Sequence, residues 1–163
     1  VEPRELRLIV VSAKVKLLPD YLWESVALQI RAAMLDAFSF ERRELGQDVL
    51  LSEVISAMQA VPGVDYVDVD QLDALSTERL LSYLEALERI QELEAKSRTP
   101  AEDEELLALR EQQVTLIQRK ERVSMELARV DHGIVNPAER ILPAQLAYLT
   151  PEVPDTLVLN PIA

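Results

Sequence analysis

Glycine is scarce here: Gly46, Gly63 and Gly133 are the only three in 163 residues, and this scarcity constrains the chain more than any other feature. Glycine takes left-handed backbone without penalty and lets a main chain approach a phosphate closely. Three of them cannot build a phosphate-cradling loop, and neither G-x-S-x-G nor H-E-x-x-H occurs. From Ser76 to Leu127 glycine is absent, and Leu, Glu, Arg and Gln dominate. That composition predicts long helices. Leu80, Leu84, Leu87, Ile90 and Leu93 line a first one, with Glu85–Arg89, Glu92–Lys96 and Glu94–Arg98 as favourable i,i+4 pairs. Thr99-Pro100-Ala101-Glu102 is a capping box with proline at the first helical position, so a second helix starts there. Leu106, Leu109, Leu116, Val123 and Leu127 give it a heptad-like seam, on which Gln113 and Lys120 also fall. The two helices would be about 30 and 40 Å long and form an antiparallel hairpin.

Two further regions flank this hairpin. Residues 1–75 read as an α/β body. Glu5 to Leu17 predicts one long strand, bulged where its alternation breaks near Ser12-Ala13. Pro19-Asp20 ends it, with Asp20 as N-cap of a helix whose inner face is Trp23, Val26, Ile30, Ala33, Met34 and Ala37. Gly46 marks a turn. Ser52 is placed to cap a short helix carrying Val54, Ile55 and Met58, and Gly63 lets the chain reverse into a strand from Val64 to Asp70. Residues 128–163 hold five of the nine prolines around short apolar runs, which excludes a long helix. They predict an extended arm that completes the body by lying along it or adds an edge strand to a neighbour. The expected fold is therefore α+β: a small mixed sheet packed by helices, with a helical hairpin inserted at 76–127 and an extended C-terminal arm.

Charge narrows the partners. Twenty-nine acids against 17 bases give a net charge of −12, which argues against nucleic acid or anionic membrane as a partner. No cysteine is present, so disulfides, thiolate metal sites and a thiol nucleophile are excluded. The longest early apolar run, Leu8 to Val11, is too short for a signal core or a membrane span. Val1 in place of Met, followed by Glu2-Pro3-Arg4, reads as a linker and suggests a domain cut or processed from a longer polypeptide.

Candidate chemistry is thin. Asp65, Asp68, Asp70 and Asp73 form an acidic cluster, in which Asp68 and Asp70 share a strand face as candidate ligands for a hard cation. The spacing lacks the glycine turn and terminal glutamate of a calcium loop, and a solvated strand face is the plainer reading. His132 beside Gly133 reads as a turn residue. Trp23 and the leucine seam read as core. No cofactor is expected.

The run Phe40-Glu41-Arg42-Arg43-Glu44-Leu45-Gly46-Gln47-Asp48-Val49-Leu50-Leu51-Ser52-Glu53-Val54, followed after one helix by Val61-Pro62-Gly63-Val64-Asp65-Tyr66-Val67-Asp68-Val69, resembles the C-terminal region of baseplate J-like proteins. These belong to contractile phage tails and related injection particles. Ala13-Lys14-Val15 through Ile30-Arg31-Ala32-Ala33-Met34 fits the same pattern, as does Pro143 to Pro154. The resemblance spans roughly residues 5–75 and 137–160 and makes 76–127 an insertion. It implies a non-enzymatic structural subunit of a baseplate wedge, with other baseplate or tail subunits, or further copies of itself, as partners. Such a subunit would assemble in the cytoplasm and end in a virion or tail-like particle. Gln113, Lys120 and Leu116 on the hairpin seam, with Leu146, Tyr148 and Leu149 on the arm, are the expected interface residues. Two other classes compete with this reading. One is a ferredoxin-like small-molecule-binding regulatory module, suggested by the strand–helix–helix–strand order. The other is a metal-dependent enzyme built on Asp65, Asp68 and Asp70.

Overall fold

A computed structural model describes residues 4–117, 119–127, 129–130 and 141–163. Its spine is β1 (Arg4–Leu17), a 14-residue strand on which Ile9, Val11, Ala13 and Val15 alternate toward one face and are fully buried. β3 (Val64–Leu75) runs antiparallel along one edge of β1. The register shifts at Ser12/Ala13, where the alternation predicts a bulge, and again at Lys16/Leu17. In both places the extra residue belongs to β3: Asp70 has no partner between Gln71 and Val69, and Asp65 has none between Tyr66 and Val64. β7 (Ala144–Tyr148) and β8 (Leu157–Pro161) run parallel to β1 on its other edge, end to end, covering Arg4–Leu8 and Val11–Val15. The result is a mixed sheet in an α+β fold. The proline-rich segment thus lies along its own body.

Two helices cover one face. α1 (Trp23–Ala37) buries Val26, Ile30 and Met34, and α2 (Leu51–Gln59) buries Leu51, Val54 and Met58. These six side chains and the inner residues of β1 form the main core. Both expected caps need correction. The cap position of α1 is Leu22, while Asp20 takes φ 76° in the preceding turn, a left-handed conformation its short polar side chain tolerates. Ser52 is the second residue of α2 and caps nothing, because the chain enters from β2 (Val49–Leu50) and Leu50 stands at the cap position. The Leu51 amide instead donates to Glu121 O at 2.9 Å. Gly63 has φ 97° and lies under the Tyr21 ring, so it reverses the chain as expected and leaves no room for a Cβ. β3 continues five residues past Asp70, to Leu75.

α3 (Thr77–Glu94) and α4 (Pro100–Leu116) form the hairpin. Thr99 Oγ1 accepts from the Glu102 amide at 3.3 Å, as the capping box predicts. α4 is shorter than its seam suggests: 17 residues, or about 25 Å, ending at Leu116. The chain then turns back to the body. Ile117 is buried, Arg119 bridges Leu72, and β4 (Arg122–Val123) pairs with β2. Lys120, Val123 and Leu127 are therefore not helical. The ion pairs also differ from the expected i,i+4 set. Arg89–Glu105, Lys96–Glu102, Arg98–Asp103 and Arg110–Glu94 each join the α3 side of the hairpin to α4. Two short strands, β5 (Arg129–Val130) and β6 (Ile141–Leu142), pair with each other.

Candidate functional site

The acidic cluster does not converge. Asp68 pairs across the sheet with Lys14, and Asp70 lies 3.8 Å from the Lys14 ammonium. Asp73 is buried at 3% exposure and held by Lys120 Nζ at 3.0 Å. The bulge at Asp70 leaves Asp68 and Asp73 on the same face, opposite Lys14 and Val10, so it is distance along β3 and separate cationic partners that keep them apart. Among the described residues, no group of three or more His, Asp or Glu side chains is gathered as a metal site requires. His132 and Gly133 lie outside the described residues.

Arg43 is the most elaborately held polar side chain, and it was not among the residues singled out from sequence. Its Nε donates to Ala147 O at 3.1 Å, and its Nη2 donates to Gln47 O and Asp48 O at 3.1 and 2.9 Å. Nη1 lies 3.8 Å from Glu53, and the guanidinium stacks 5.5 Å from the centre of the Phe38 ring. Burial pulls its pKa below the ordinary arginine value, against the opposing pull of Glu53 and Asp48. The planar fork with several donors suits this role, since one ammonium cannot reach three carbonyls. Arg43 thereby ties the loop after α1 to β7 and to α2. The signal in the sequence was the run of charge at Glu41-Arg42-Arg43-Glu44, but nothing there distinguishes the buried arginine from its exposed neighbour Arg42.

The outer edge of β7 is occupied. Gln145 N donates to Glu126 O and Gly46 N donates to Gln145 O, both at 2.7 Å, and Leu149 N donates to Phe38 O at 2.8 Å. Leu146 and Leu149 are buried in the chain's own fold, and Tyr148 meets the Phe40 ring edge-on at 5.6 Å. As interface candidates Leu146 and Leu149 are corrected, since their apolar surface is spent internally, while Tyr148 stays half-buried. Lys120 is corrected likewise, since it leaves the seam to pair with Asp73. Gln113 stays on α4, half-buried, with no acceptor for its Nε2 among the described residues, while the side chain of Leu116 lies outside them.

Exposed apolar residues gather elsewhere. Leu18, Tyr21 and Leu22 project from the turn between β1 and α1, beside Gly63, and Leu22 is 70% exposed. Open depressions on the described surface include two of several hundred Å³. One, of about 490 Å³, is lined by Leu50, Leu51, Ser52, Ile55, Glu121 and Arg122. The other, of about 690 Å³, lies between Glu5-Leu6-Arg7 and the start of α3. In the second, Arg7 already pairs with Glu5 at 2.9 Å. The two linings hold hydroxyls and carboxylates, Ser52 with Glu121 in one and Ser76 and Thr77 with Glu5 and Glu78 in the other, and Ser76 Oγ accepts from the Arg79 amide as the cap of α3. No helix among the described residues is long and apolar enough to cross a membrane.

Compared with protein-family models, with curated proteins and with solved structures, the chain gives no match.

Proposed function

We propose that the protein is a non-enzymatic structural subunit of a phage-like baseplate wedge, acting in assembly of a contractile tail or injection particle. The observation that carries this reading is the way its resembling segments meet. The stretch from Phe40 to Val54 and the stretch from Pro143 to Pro154 are a hundred residues apart in sequence. They join through Arg43 to Ala147, Gly46 to Gln145 and the Phe40–Tyr148 ring contact. The pieces that share a pattern with baseplate J-like proteins thus form one body, while the segment outside that pattern forms the α3–α4 hairpin and then returns to the body through β4. Exposed Leu18, Tyr21 and Leu22 offer apolar surface of the kind that subunit contacts bury.

Purification of the tagged full-length protein from its source, followed by electron microscopy, tests this reading. Rings, tail fragments or sheathed particles carrying the tag are the expected result. A small homogeneous species that carries a bound metabolite and shows ligand-dependent thermal stabilisation would overturn it in favour of a ligand-binding regulatory module.

A further inference from the structure

The two faces of β1 serve separate cores. On one, Ile9, Val11, Ala13 and Val15 pack with α1 and α2, and the buried residues of that cluster include none from α3 or α4. On the other, Val10 meets Leu75, Leu80, Tyr83 and Ile117 at the base of the hairpin. A third cluster, Ile90, Leu93 and Leu106, lies wholly within the hairpin. It is flanked by Arg89–Glu105 at 2.8 Å, Lys96–Glu102 at 2.7 Å and Arg98–Asp103 at 2.7 Å. The outer half of the hairpin thus has a cluster of its own, the main core draws no buried residue from α3 or α4, and the second cluster joins the two.

The join between them contains a buried charge. Asp73 sits on β3 across from Val10. Its Oδ1 accepts from the Ala74 amide at 2.8 Å and from Lys120 Nζ at 3.0 Å. Lys120 stands where the chain, having left α4, returns along β3. Its amide donates to Leu72 O at 3.3 Å, and the neighbouring Arg119 Nε donates to Val69 O at 2.9 Å. A carboxylate buried this deeply is costly once its cation is removed. The pair therefore adds one charge-sensitive contact to a seat otherwise made by Val10, Leu75, Leu80, Tyr83 and Ile117 and by the backbone acceptors of β3.

We propose that the α3–α4 hairpin is a hinged arm that seats on the sheet and lifts from it as one unit, with Lys120–Asp73 as the latch. Ser76 at the head of α3 and Glu121, whose carbonyl the Leu51 amide holds to the body, are the pivots, so that Ile117 and Lys120 move with the arm. This device is independent of the assembly role and stands or falls separately from it.

Hydrogen exchange on the full chain, read by mass spectrometry, tests the arm. In the wild type, amides of α3 and α4 open together and exchange at least about tenfold faster than those of Ile9–Val15. Lys120→Met accelerates α3 and α4 by a common factor, roughly ten- to a hundredfold after allowing for the partial exposure of the lysine, and leaves β1 unchanged. Lys120→Arg keeps the wild-type pattern. Adding Asp73→Asn to Lys120→Met removes the unpaired charge and restores most of the protection. Four results would overturn the proposal: arm and β1 amides exchanging together, acceleration of every segment alike, α3 and α4 responding separately, or no response to Lys120→Met. If Lys120→Met alone does not fold, the wild-type pattern and the double variant decide the question.

Discussion

The body and the hairpin are built by different rules. The body's core joins residues far apart in sequence: β1 is flanked by β3 on one side and by β7 and β8, over a hundred residues later, on the other. Its largest buried side chains, Ile9, Ile30, Met34 and Met58, are sealed from solvent. The hairpin's own cluster is local and small, and salt bridges at its surface do much of the joining. Exposed pairs contribute little each and are screened by salt, whereas buried apolar side chains contribute more and are not. The body should therefore be the stable part and the hairpin the part that yields first.

Core truncations give the sharpest contrast. Ile30→Ala should cost roughly 3–5 kcal/mol and lower the unfolding midpoint seen by every probe. Leu106→Ala in the hairpin should cost about 2 kcal/mol and move only the helical signal in circular dichroism. A Leu106→Ala effect as large and as global as that of Ile30→Ala would erase the distinction. Next comes Arg43. Arg43→Lys keeps the charge but leaves carbonyls of Gln47, Asp48 and Ala147 short of donors, and should cost roughly 2–3 kcal/mol in denaturant titration. An unchanged midpoint would show that the loop after α1 is held by its backbone alone. Thr99→Ala removes the α4 cap and should cost about 1 kcal/mol, read as lost helical signal with the body unaffected.

Acid should act on the hairpin by the smallest increments. The hydrogen bond from Arg89 holds the Glu105 carboxyl below the ordinary value of 4.5, and the one from Lys96 does the same for Glu102. A carboxylate with a lowered folded pKa stabilises above the ordinary value and loses that contribution as pH falls through the lowered one. Helical signal from the hairpin should therefore weaken below pH 4.5 and recover on neutralisation. Added salt at neutral pH should weaken it in the same direction.

The sequence was legible where one local rule acted alone. The glycine-free stretch, the Thr99 capping box and the alternation of Ile9, Val11, Ala13 and Val15 foretold the hairpin and the long strand. Gly63 foretold its own positive φ. The misreadings share a cause: a distant part of the chain outbid a local preference. Nothing in Val114 to Lys120 breaks a helix, yet α4 ends because Ile117 has a buried place against Val10 and Leu80, and Arg119 and Lys120 have partners on β3. Asp20 and Ser52 are good capping residues that the incoming chain does not place at a cap. Asp73 looked like its acidic neighbours, but the base of the hairpin and Lys120 cover its end of the strand face. Arg43 was invisible because its acceptors are backbone carbonyls, which carry no mark in a sequence.

Trp23, the single tryptophan, packs against the main core, while α3 and α4 hold more than half of the α-helical residues. Thermal unfolding of the full chain followed by both signals compares the two regions in one experiment. Two cores predict that ellipticity falls in an earlier step that Trp23 fluorescence does not register, with both signals lost in a later one. Coincident single transitions would mean one cooperative unit and would contradict the account.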